Sequence, residues 1–296
     1  MILAHELLTS DRAAARWMVF LHGILGRRAN WRSFARKWLR QRDTDERWGA
    51  VLVDLRDHGE SLGLEGERTV AAAGADLIPL AEAVVAEHGG RVAGLLGHSF
   101  GGKVAISAAA QLRGVGREVD ELWVIDAPPG PLEQGRERVT DEVFAVLAEL
   151  PPRFDSRDHF IDAVVAAGIS RRVALWLATN VVEAGAKGSD KGGWRFGLEL
   201  DRVTALLRDF GAVDLWPALE AESDAGVGVG LVLGARSDAV PASQRARAEL
   251  LAAAGRIELA IVPDAGHWVH VENQAGLLEI LARPPRASAG RTPSAR

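Results

Sequence analysis

The sequence predicts an α/β fold, a mostly parallel sheet flanked by helices and interrupted by an inserted helical cap. Short apolar runs of strand type alternate with helical patterns through the first half of the chain, stop after Ile125, and resume near Gly228. A Gly-x-Ser-x-Gly pentapeptide lies where one such run ends and a helical pattern opens. Strands that alternate with helices need crossover connections, and crossovers build parallel sheets. The length of 296 residues fits one large domain with an insertion better than two independent halves. A chain of that size buries about three quarters of its unfolded surface without staples.

The elements follow in order. Trp17-Met18-Val19-Phe20-Leu21 reads as a buried strand and Ala50-Val51-Leu52-Val53-Asp54 as a second. Between them Asn30 is placed to cap a helix through about Gln41, with Trp31, Phe34, Trp38 and Leu39 on its apolar face. Thr69 to Glu87 carries one long helical pattern. Arg91 to Leu96 returns to strand and meets Gly97; an Ala-rich helix follows to about Leu112, and Glu121 to Ile125 is the next strand. From Ala127 to about Pro217 no buried strand is expected, only Pro-rich turns and helical stretches. Gly228 to Leu233 and Ile257 to Val262 then resume the strand pattern around another Ala-rich helix. Residues 1–130 and 218–282 are thus read as two parts of one core, and 131–217 as a cap, because an insertion of that size with its own helices is not a structureless loop. Residues 283–296, rich in Pro and Arg and without an acid, are read as a flexible tail.

Composition excludes several classes of function. Apolar residues make up 48% and charged residues 25%, which rules out extensive disorder. The absence of Cys removes disulfides, thiolate metal sites, iron–sulfur clusters and a Cys nucleophile. A net charge of −5 argues against a nucleic-acid partner. No apolar run reaches the length of a membrane span and Met1 to Glu6 lacks a signal-peptide pattern, so the expectation is a cytoplasmic protein with no membrane partner.

The residues that carry chemistry centre on Gly97-His98-Ser99-Phe100-Gly101. In a chain with 32 Gly the pattern alone is cheap, but here it joins a strand to a helix, the setting of a nucleophile elbow. Flanking glycines let the turn be sharp enough to expose the Ser99 hydroxyl. A serine hydroxyl is a poor nucleophile until a base takes its proton. His267 is the candidate base, because it follows the last predicted strand, and sites in open α/β sheets form at the carboxyl ends of strands. His270 is its nearest rival. His5, His88 and His159 read as surface or packing residues, His98 as turned away by the elbow, His58 as part of another turn, and His22 as structural. The imidazole needs an acid to fix its tautomer. Asp126 and Asp238 each end a strand between Ser99 and His267 in the chain. The turn at His22-Gly23-Ile24 offers the Ile24 N–H to a developing oxyanion beside the N–H of Phe100. Neither Gly23-Ile24-Leu25-Gly26 nor the glycines from Gly226 to Gly230 has the spacing of a phosphate cradle.

Together the His22-Gly23 turn with Asn30-Trp31, Asp54 to Ser61, Gly97 to Lys103, Asp126 and Gly266-His267-Trp268-Val269-His270 resemble the α/β-hydrolase superfamily. Within it they are similar to small bacterial acyl esterases and thioesterases related to the mitochondrial α/β-hydrolase-domain acyl hydrolases, over about Trp17 to Ala282. The resemblance implies the α/β-hydrolase fold, Ser99 as nucleophile, His267 as base, and the Ile24 and Phe100 N–H groups as the oxyanion hole. It implies a carboxylic ester or thioester of a small molecule as substrate, with no metal and no organic cofactor. The nearer relatives favour Asp126 as the acid, which we take first; the habit of the wider superfamily favours Asp238, which remains the alternative. A lyase or C–C bond hydrolase with the same triad, and a binding protein with little turnover, are the rival functions. The inserted segment is expected to cover the site. Its Phe144, Phe154, Phe160, Trp176, Trp194 and Phe196 are expected to form mainly its own core, with only some lining an acyl pocket.

Overall fold

The computed structural model describes residues 2–10, 12–42, 47–133, 139–185 and 192–286. Seven strands form the main sheet: β1 (His5–Leu8), β2 (Arg16–Leu21), β3 (Trp48–Val53), β4 (Arg91–His98), β5 (Glu121–Ile125), and, after a small ribbon of β6 (Val181–Ala184) and β7 (Gly193–Phe196), β8 (Gly228–Gly234) and β9 (Glu258–Val262). Their order is β1-β3-β2-β4-β5-β8-β9, parallel throughout except for β1. The central strands read as unbroken apolar runs because both faces are covered. Met18 and Phe20 face one core with Leu96, Trp123, Ile125 and Val232. Trp17, Val19 and Leu21 face the other with Leu95, Leu122, Val124 and Leu231.

Twelve helices are described. Helices α1 (Arg32–Arg42), α11 (Val269–Glu272) and α12 (Gln274–Ile280) cover the first face through Phe34, Trp38, Val269, Leu277 and Leu278. On the second face lie α2 (Val70–Ala75), α3 (Leu77–His88), α4 (Phe100–Gly114), α9 (Trp216–Asp224) and α10 (Ala242–Ala253). Within the inserted stretch are α5 (Val139–Glu149), α6 (Arg157–Ala166), α7 (Arg171–Leu177) and α8 (Leu200–Ala212). No helix among the described residues is long and apolar enough to cross a membrane.

Several elements differ from expectation. Strand β1 was not foreseen: His5-Glu6-Leu7-Leu8 is a half-buried antiparallel edge without the β-branched residues that mark strands. Asn30 does not cap α1. It sits inside a 3₁₀ turn, Arg28–Trp31, and its carboxamide oxygen accepts the Arg27 N–H at 2.6 Å. The pattern from Thr69 to Glu87 divides at Asp76, whose carboxylate takes the Arg56 guanidinium at 2.7 and 2.8 Å. Thr69 caps the first piece through the Ala72 N–H. The insertion is not purely helical, since β6 and β7 pair antiparallel and Phe154 bridges to Trp194. At the start of the expected tail, the Arg283 guanidinium binds both Glu258 oxygens at 2.7 and 2.8 Å. Residues 287–296 lie outside the described residues.

The two ends of the insertion run side by side. Leu132 N–H donates to Gly211 O at 2.8 Å, and Leu215 N–H to Pro129 O at 2.9 Å. Lys103 of α4 is fully buried there. Its ammonium donates to the carbonyls of Gly130 and Phe210 at 2.7 Å and of Val213 at 2.8 Å.

Candidate active site

Strand order decides what meets Ser99. Strand β4 lies between β2 and β5, so the loop after β2 flanks Ser99 on one side and the residue after β5 on the other. The ladder runs one residue past the strand ends: Ser99 N–H donates to Ile125 O at 2.9 Å and Asp126 N–H to Val232 O at 2.7 Å. Ser99 has φ 53° and ψ −120°, a strained conformation for a residue with a Cβ. The elbow closes only because two positions lack side chains. A Cβ on Gly97 would overlap the Gly101 carbonyl, and one on Gly101 would press into the carbonyls of Leu21 and His22.

His267 arrives from beyond β9, three strands along the sheet from β4. Its loop leaves β9 and bends back over β8, where Arg236 N–H holds Ala265 O at 2.8 Å. Glu272 accepts the Gly266 N–H at 2.7 Å. His98, expected to turn away, instead donates from Nε2 to the His267 carbonyl at 2.7 Å. The His267 ring then lies between its partners, with Nε2 3.1 Å from Ser99 Oγ and Nδ1 2.7 Å from Asp126 Oδ2. Asp126 is fully buried, and its carboxylate also accepts the Gly234 N–H at 3.0 Å and the Ser237 hydroxyl. Asp238 is exposed on the loop after β8, at the cavity wall. Both ring nitrogens of His267 are already engaged, by Ser99 and Asp126.

The loop after β2 is cross-tied to the loop after β3. Leu55 N–H donates to His22 Nε2 and Leu25 N–H to His58 Nε2, each at 3.1 Å. Each ring gives its other N–H to a carbonyl, Gly23 O at 2.8 Å and Arg56 O at 2.9 Å. Burial pushes both pKa values down, that of His22 to about 3, so both rings are neutral acceptors. Ile24 lines the cavity. Phe100 opens α4, so its N–H has no carbonyl within the helix. His270 is buried in α11 with its ring 4.5 Å from that of Trp31. Burial and the nearby His267 lower its pKa to about 4. His5 on strand β1 bonds the Leu3 carbonyl, His88 packs edge-on against Trp17, and His159 pairs with exposed Asp155.

Ser99, His267, Ile24 and His270 open onto a cavity of about 430 Å³. The insertion supplies Leu132, Val143, Val173 and Trp176 to its wall, and the core supplies Trp31 and Trp268. Of the six aromatic residues singled out in the insertion, Trp176 is the one that lines the cavity among the described residues. Phe160 instead packs between Phe154 at 5.2 Å and Phe196 at 5.7 Å. Glu133, Glu142 and Asp238 also reach the cavity.

A model of the alpha/beta hydrolase family matches residues 18–280. The chain belongs to that family. The hydrolase is 29% identical over 284 residues to the sn-1-specific diacylglycerol lipase ABHD11 of Mus musculus, covering 94% of this chain and 83% of that one. It is 25% identical over 269 residues to esterase YbfF of Escherichia coli (strain K12), covering 90% and 91%. A marine microorganism esterase superposes with a TM-score of 0.71 at 19% identity, covering 94% and 97%, a likeness of fold. Sequence reasoning missed three groups in this hydrolase: Ser237 and the Gly234 N–H on Asp126, and His98 on the His267 carbonyl. Each contact joins residues more than 100 positions apart, so no local pattern announces it.

Proposed function

We propose that this α/β hydrolase cleaves carboxylic esters and thioesters through an acyl-enzyme on Ser99. The reading rests chiefly on the continuous Ser99–His267–Asp126 hydrogen-bond chain at the cavity wall. Relatives named as a lipase and an esterase support the reaction class.

Asp126 accepts the Nδ1–H of His267, which leaves the Nε2 lone pair facing Ser99. Ser99 Oγ attacks the acyl carbon as its proton passes to Nε2. The negative charge that forms on the carbonyl oxygen is met by the N–H groups of Ile24 and Phe100, aided by the positive end of α4. Collapse breaks the bond to the leaving alkoxide or thiolate, which takes the proton from Nε2. Water then gives a proton to Nε2 and attacks the acyl-enzyme. The second tetrahedral species releases the acid and returns the proton to Ser99. No step calls for a metal or an organic cofactor.

Residues 131–217 serve as the cap over a core of 1–130 and 218–282. Val143, Val173 and Trp176 give the acyl chain an apolar wall, and burying an unpaired charge there is costly. Short and medium neutral acyl chains are therefore the expected substrates, ahead of dicarboxylate or phosphorylated esters. The test is turnover of p-nitrophenyl esters and acyl-CoA thioesters of graded length, with a fluorophosphonate probe. Ser99→Ala should lose hydrolysis by several orders of magnitude and all labelling, while keeping its fold. Labelling or turnover that survives in Ser99→Ala would sink the reading. Binding without turnover in the wild type would favour a receptor.

A further inference from the structure

We propose that Asn180, in the inserted segment, is a positioning residue for the oxyanion loop. The inference rests on the reading that the Ile24 N–H stabilises the oxyanion.

The loop Gly23–Gly26 is a four-residue turn closed by Gly26 N–H on Gly23 O at 2.9 Å. Its third residue, Leu25, has φ 61°. A turn with positive φ at that place asks for glycine, and a leucine there holds its shape only when its surroundings impose it. Two buried side chains do so. His58 Nε2 accepts the Leu25 N–H at 3.1 Å, and Asn180 Nδ2 donates to the Leu25 carbonyl at 2.7 Å. Both peptide groups of Leu25 are thereby fixed. Ile24 then sits between that clamp and the end of β2, with little freedom to re-aim its N–H.

Asn180 is well built for the task. It is 2% exposed and lies in a 3₁₀ turn, Ala178–Asn180, next to the β6–β7 ribbon. Its own carbonyl accepts the Gly197 N–H at 2.8 Å, which ties its backbone to the ribbon. A second bond runs parallel, from Arg27 Nη1 to the Thr179 carbonyl at 2.7 Å. The carboxamide orientation is unambiguous, because the flipped amide would set oxygen against the Leu25 carbonyl. Its Oδ1 is buried and has no partner among the described residues. An orphaned buried oxygen costs at least as much stability as one neutral hydrogen bond adds. Stability of the fold is therefore a poor reason for an amide here, and a donor aimed at one carbonyl is a good one. The insertion then contributes to turnover as well as to substrate fit.

Asn180→Leu keeps the bulk and removes the donor; Asn180→Ala removes both. Measured on p-nitrophenyl butyrate, both should lose kcat by roughly 10- to 100-fold, below the 10²- to 10³-fold of deleting an oxyanion donor outright. KM should stay within about threefold, the expectation when an interaction made only in the transition state is lost. Inhibition by a trifluoromethyl ketone, whose adduct places an oxyanion in the hole, should weaken in step with kcat/KM. Asn180→Leu strands the Leu25 carbonyl but also removes an orphaned oxygen, so its Tm should stay near that of the wild type, and a failure of Asn180→Ala to fold leaves Asn180→Leu decisive. Unchanged kcat in Asn180→Leu, or a loss confined to KM, overturns the inference when Ser99→Ala is inactive. Activity in Ser99→Ala would overturn the underlying reading instead.

Discussion

Asp126 holds φ 47°, a positive value that Leu25 and Ser99 beside it in the site share. Each such residue costs about 1–3 kcal/mol and persists only where its surroundings impose the conformation. At Asp126 the Gly234 N–H and the Ser237 hydroxyl do so, and they also turn one carboxylate oxygen toward His267. Asparagine tolerates that backbone as well as aspartate does, so Asp126→Asn should fold normally. It should still lose kcat by about four orders of magnitude, because the amide favours the wrong His267 tautomer. Asp238→Asn should lose far less, since both His267 nitrogens are engaged elsewhere. Measuring kcat for the two variants side by side, with thermal unfolding as the control, checks this. A near-normal Asp126→Asn beside an inactive Asp238→Asn would reverse the assignment. The sequence left the two acids open because both end strands on the same sheet edge. What separates them is the ladder between β5 and β8, which no local pattern encodes.

Among the elements, the buried central strands and β9 were legible, while β1 and the β6–β7 ribbon were not. Strands covered on both faces leave continuous apolar runs such as Met18-Val19-Phe20-Leu21, whereas β1 and the β6–β7 ribbon expose part of every residue pair. The elbow was legible for a different reason, since close backbone approach at Gly97 and Gly101 forces a local signature. The supports of the site, His58, Asn180 and Ser237, act across long sequence distances and leave none. Helix α4 carries a further device of that kind. Lys103 is a buried cation satisfied by three carbonyls and stacked 4.8 Å from the Phe210 ring. Lys103→Met fills much of the space but strands those carbonyls, as breaking a buried charged network does. The expected loss is about 3 kcal/mol, read as a fall in Tm of roughly 5–10 °C. A Tm within 1 °C of the wild type, by calorimetry, would show that the carbonyls find other partners.

Across the whole molecule, stability should depend on pH through histidines rather than carboxylates in the weakly acidic range. His22, His58, His98 and His270 are buried, and burial, the largest cause for each, holds every one below the usual histidine pKa. Above about pH 6.5 both folded and unfolded chains keep these rings neutral. As pH falls from there the unfolded chain binds protons that the folded chain refuses, down to about pH 4 for His270 and about 3 for His22. Each ring should then withdraw about 1.4 kcal/mol of stability per pH unit. Urea unfolding at pH 7.5, 6.0 and 5.0 should show a steepening loss below pH 6.5, and a flat profile would mean that the rings are protonated in the folded state. The paired ends of the insertion have a different consequence, one of chain entropy. Because Pro129–Leu132 and Phe210–Leu215 are already joined by hydrogen bonds, the sheet meets the intervening chain as a closed loop on a fixed seat. Closure entropy grows only logarithmically, about 0.6 kcal/mol for each doubling of length. A longer, shorter or foreign segment can therefore be grafted onto that seat at little cost to the core, provided that it returns one amide donor to the Leu25 carbonyl.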